Sequence, residues 1–74
     1  MSLVQRFLKE EGARYVQTQL DKAETPTASL AEINFNVFDL LIDFDKQMVQ
    51  VVDILSDNQI EEMPLAQFRL LLTG

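Results

Sequence analysis

The 74-residue chain has no cysteine, histidine or tryptophan, and only two glycines and two prolines. Without cysteine no disulfide forms, and a structural zinc site loses its usual ligands when histidine is missing too. Nucleophilic catalysis of the Ser-His or Cys-His kind is excluded on the same ground. Gly12 and Gly74 stand too far apart in the chain to form a glycine-rich phosphate loop. Basic residues are scarce in the larger part of the chain, where residues 29–74 carry only Lys46 and Arg69 against eight acids. Phosphate contacts need clustered Lys and Arg, so direct binding to nucleic acid or an anionic membrane is disfavoured. Long apolar runs are missing as well. A membrane span needs roughly 18 such residues, and the longest candidate is interrupted by Asp39, Asp43 and Asp45. Arg6, Lys9, Glu10 and Glu11 stand where a signal peptide would be apolar, which makes the cytoplasm the default compartment.

What is present is apolar surface and acid. Hydrophobic residues make up 47% of the chain and charged residues 24%, with a net charge of -6. The apolar share argues against intrinsic disorder, and the length fits one small domain over residues 1–74. A domain of this size buries only about 60% of the surface its unfolded chain exposes. With neither disulfide nor zinc to hold it, the fold depends on good packing or on association with another chain. The charge is unevenly placed. Arg6, Lys9, Arg14 and Lys22 balance Glu10, Glu11, Asp21 and Glu24, so the whole excess of acid lies after residue 28.

Leu3, Val4, Phe7 and Leu8, extended by Tyr15, Val16 and Leu20, predict an N-terminal helix over residues 2–23, with a bend or stop at Gly12. Pro26 disfavours helix at Thr25 and marks a connector. Residues 30–55 admit two readings. As a long helix, Ile33, Val37, Leu40, Leu41, Phe44, Met48, Val51, Val52 and Leu55 fall on one side, and Ser29-Leu30-Ala31-Glu32 has the form of a capping box. As a hairpin over residues 33–55, Phe38, Leu40, Ile42 and Phe44 alternate with Asp39, Leu41, Asp43 and Asp45, ahead of the β-branched run around Val49, Val51, Val52 and Ile54. Asp45-Lys46-Gln47 supplies the turn. The abundance of Ile, Val and Phe, and of Asn and Asp, tips the balance to strands. Gln59 to Met63 reads as an edge strand or loop, and Pro64 followed by Leu65, Phe68, Leu71 and Leu72 as a short C-terminal helix. The expected fold is therefore α+β, with two helices packed on an antiparallel hairpin. The alternative is an all-α helical hairpin with a long second helix, in an oligomer.

Carboxylates are the one chemical resource. A tuned acid–base pair needs a pocket that so small a domain can rarely build, so the chain is not expected to be an enzyme, and no cofactor motif is present. The expected function is a small acidic interaction module, of inhibitor, immunity or adaptor type, facing a basic protein through Asp39, Asp43, Asp45, Asp53, Asp57, Glu61 and Glu62. Six aromatics and the run Leu70-Leu71-Leu72 exceed what a small core can hide. Phe35, Phe38, Phe68, Leu70 and Leu71 are accordingly candidates for an apolar interface, with that partner or with a second copy in a self-associating structural protein. A divalent cation held by Asp39, Asp43 and Asp45 is a further alternative.

Overall fold

The computed structural model describes residues 2–55 and 59–73. Two helices, α1 (Leu3–Glu11) and α2 (Ala13–Ala23), precede four strands, β1 (Leu30–Asn34), β2 (Phe38–Asp43), β3 (Met48–Asp53) and β4 (Gln59–Pro64), and a last helix, α3 (Leu65–Thr73). The fold is α+β, and residues 30–55 form strands, not the long helix. The sheet is a four-stranded antiparallel meander in the order β1-β2-β3-β4. It is wider than the expected hairpin. Ile33 belongs to β1, and the central hairpin begins at Phe38.

Local chemistry accounts for the element ends. Ser2 Oγ accepts from the Gln5 N–H at 3.1 Å while Gln5 Oε1 accepts from the Ser2 N–H at 3.0 Å, a reciprocal cap on α1. Gly12 ends that helix at φ +89, a backbone region open to glycine and strained for other residues. Its N–H donates to the Leu8 carbonyl and its own carbonyl accepts from Val16, so one glycine closes α1 and opens α2. The β2–β3 turn covers Phe44 to Gln47, with Gln47 in the left-handed region at φ 57. Asp43 Oδ1 steadies the turn by accepting from the Lys46 N–H at 2.9 Å. Pro64 is the last residue of β4, one place before the helix that it was expected to begin. The Leu65 N–H at the start of α3 donates to the Gln47 carbonyl at 2.8 Å, tying the helix to that turn.

The alternation of β2 and β3 sends Phe38, Leu40, Ile42, Val49 and Val51 to one face, where they meet Val4, Phe7, Val16, Leu20, Leu65, Phe68 and Leu72 of the helices in one continuous core. Phe7 stacks edge-to-face on Phe38 and Phe35, with ring centroids 5.3 and 5.0 Å apart, and Tyr15 packs on Phe35 at 5.9 Å. The three described helices thus lie on the same side of the sheet, and among the described residues no helix covers the other side.

Candidate functional site

That open side is built by the residues between the core positions. Strand pairing sets Leu30 beside Asp43, Met48 and Pro64 in one row, Glu32 beside Leu41, Gln50 and Glu62 in the next, and Asn34 beside Asp39, Val52 and Ile60 in the third. None of these side chains belongs to the core cluster. Leu30 and Ile60 are exposed, and Leu41, Met48 and Val52 are half-buried by their strand neighbours. A shallow concavity of about 720 Å³ lies on this face, with Leu30, Leu41, Asp43, Met48, Gln50 and Glu62 among its lining.

Every ionisable residue in those three rows is an acid. Neutral amides orient them. Asn34 Nδ2 donates to Glu32 Oε2 at 2.9 Å and to Asp39 Oδ1 at 2.8 Å, and Gln50 Nε2 donates to Glu62 Oε2 at 2.9 Å. Among the described residues the two ion pairs, Arg6–Asp53 and Arg69–Glu24, are made by arginines of the helices, and neither uses an acid of this face. Lys46, in the β2–β3 turn, also lines the concavity. Four carboxylates, with Lys46 in the lining of the concavity, set up a net negative field over the face.

The six described acids among those singled out in the sequence divide into three groups. Asp39, Asp43 and Glu62 stand on the open face. Asp45 is exposed in the β2–β3 turn, where Asp45-Lys46-Gln47 was expected to supply it, and not on the strand face that alternation alone gave it. Asp53 and Glu61 turn the other way. Asp53 faces the core side of β3 at 3% exposure, accepting from Arg6 Nη2 at 2.9 Å and from the Leu55 N–H at 3.0 Å. Glu61 Oε1 accepts the Val4 N–H at 2.8 Å, holding the first turn of α1 against the sheet edge. Both carboxylates are therefore engaged in joining helix to sheet and are poorly placed to meet a partner. Asp57 lies outside the described residues.

Among the apolar candidates, Phe38 and Phe68 are core residues at 2% and 0% exposure, because alternation and helical spacing both turn them inward. Phe35 is half-buried between Phe7 and Tyr15. Of the three consecutive leucines, Leu72 is buried, while Leu70 and Leu71 are exposed at 71% and 40%. A nine-residue helix cannot direct neighbours 100° apart into one core.

Sequence reasoning passed over Glu32, Leu41, Met48, Val52 and Ile60 as members of a common surface. Leu41, the one apolar residue among the polar positions Asp39, Asp43 and Asp45, is the apolar centre of the outer face. Register would have found Leu41, Met48 and Val52; Glu32 and Ile60 needed β1 and β4 to be recognised as strands. Along β2, Asp39 and Asp43 are four residues apart, about 13 Å at strand rise, too far to chelate one ion. Among the described residues, no group of three or more Asp or Glu converges on a point that could hold a metal ion. No helix among them is long and apolar enough to cross a membrane. Comparison with protein-family models, with curated proteins and with solved structures finds no match to the chain.

Proposed function

We propose that the protein is a small non-catalytic interaction module that offers the open sheet face to a basic protein. The observation that carries this reading is the pairing, on one sheet face that no described helix covers, of half-exposed apolar side chains with strand residues whose charges are all negative. Long-range attraction to the acids speeds encounter and orients the partner, and burial of the apolar centre supplies most of the affinity. Asn34 and Gln50 hold three of the carboxylates in place, which lowers the ordering cost of binding.

Charge reversal tests it. A chain carrying Asp39→Lys, Asp43→Lys and Glu62→Lys, with the far-UV circular dichroism of the parent, is expected to lose a basic protein that the parent captures from native lysate. Capture by the parent is expected to weaken steeply as salt rises. Equal capture by both chains at every salt concentration refutes the reading.

A second reading, self-association, draws on Leu70 and Leu71, which remain exposed on the helix side. Sedimentation over a dilution series decides it, since a folded monomer at micromolar concentration rejects it.

A further inference from the structure

Resting on that reading, we infer that the element seated on the open face is an α-helix of the partner, apolar along one side and lined with Lys or Arg along both flanks. Shape and backbone chemistry select a helix. Met48, Leu41 and Val52 form a zigzag between β3 and β2, running along the strands from the first row to the third. Four residues of strand rise make this apolar line about 13 Å long, close to two and a half turns of helix. Glu32 on β1 and Glu62 on β4 share the row of Leu41 and Gln50, three strand spacings or about 14 Å apart. A helix about 10–12 Å across fits between these two carboxylates, with cationic side chains reaching out on each side.

The backbone argument separates a helix from a lone extended segment. A segment resting on the face of a sheet finds side chains beneath it, not free backbone groups. An extended segment there would bury its own N–H and C=O groups unpaired, whereas a helix satisfies them internally. The opposite face follows this rule, being covered by α1, α2 and α3. A partner helix would complete a helix–sheet–helix sandwich. A second copy of the chain is disfavoured because face-to-face pairing sets Glu32, Asp39, Asp43 and Glu62 against the same acids.

The test uses the full chain and two peptides of equal Leu and Lys content, about 14 residues each, the length that spans the apolar line with a turn to spare. One places Leu at helical spacing; the other alternates Leu with Lys. Binding is read by fluorescence anisotropy, by circular dichroism of the peptide, and by amide shifts of the labelled protein. The helical peptide is expected to bind at least about tenfold more tightly than the alternating one, to gain helicity, and to shift Leu41, Met48, Gln50 and Val52. Leu41→Lys, or Met48→Lys should the first variant fail to fold, is expected to weaken it by about tenfold or more. Equal affinity for both peptides, abolished by the acid reversals, overturns the helix inference and leaves the acidic-face reading standing. Preference for the alternating peptide, with shifts confined to β1 or β4, overturns it in favour of strand addition at an edge. Concentration-dependent shifts on this face without peptide overturn it in favour of a second copy. Failure of both peptides to bind also overturns it, while the lysate experiment judges the underlying reading separately.

Discussion

Replacing Arg6 by methionine keeps the apolar stem of the side chain and removes the guanidinium that faces Asp53. The consequence depends on where the two ends of that ion pair sit. Asp53 has a side chain only 5% exposed, whereas Arg6 is 41% exposed, with 2.9 Å between Nη2 and Oδ2. A fully buried pair that loses one partner costs about 3–5 kcal/mol, because a charge is stranded away from water. An exposed pair costs about 0.2–1 kcal/mol. Here the carboxylate is dry and the arginine partly wet, so water can enter the space the guanidinium leaves. The expected loss is about 2 kcal/mol, near 10 °C in Tm for a domain of this size.

Urea unfolding followed by circular dichroism measures that loss, and a double-mutant cycle with Asp53→Asn isolates the pair. The coupling should be about 1–2 kcal/mol and should largely survive added salt, since screening acts weakly on the buried end. The pair Arg69–Glu24, with side chains 35% and 46% exposed, is the internal control. Its coupling should stay below about 1 kcal/mol and fade with salt. A coupling at Arg6–Asp53 no larger than the control, or an Arg6→Met variant within about 0.5 kcal/mol of the parent, refutes the reasoning.

Other substitutions probe the remaining joints. Glu61→Ala removes the carboxylate that accepts the Val4 N–H, and should cost about 1 kcal/mol in denaturant unfolding while speeding hydrogen exchange at that amide. Gly12→Ala should lower stability by about 1–2 kcal/mol in a thermal melt through backbone strain alone, since a Cβ there meets nothing within 4 Å. Phe68→Ala should cost about 3–5 kcal/mol or abolish folding, while Leu70→Lys two residues later should stay within about 0.5 kcal/mol. Parallel unfolding curves compare the last two, and similar losses would contradict their 0% and 71% exposure.

Much of the fold was legible in the residues because the central hairpin is covered on one face. Covered strands alternate, and Phe38-Asp39-Leu40 and Val49-Gln50-Val51 do so plainly. Gly12 announced its break through the low helix propensity of glycine. The edge strands were harder to read. β1 contributes only Ala31 and Ile33 to the inner side, and its opening residues also fit a helix cap. β4 places Glu61 on the inner side, where alternation would call for an apolar residue. The candidate face was half legible. Asp39, Asp43 and Glu62 could be named, but not the apolar side chains between them.

By itself the sequence determined the kind of molecule: a small acidic chain without thiol or imidazole chemistry, its excess charge all beyond residue 28, with a residue balance that favoured α+β over an all-α fold. These properties are sums and short periodicities, which a linear chain carries within a few neighbouring residues. Only the tertiary structure decided which acids are available. Asp53 and Glu61 resemble Asp43 and Glu62 in type and position along the chain, yet the first two join helix to sheet while the second two look outward. Strand parity and the placing of all three helices on one side make that division, and both are set by contacts between residues as much as 57 positions apart.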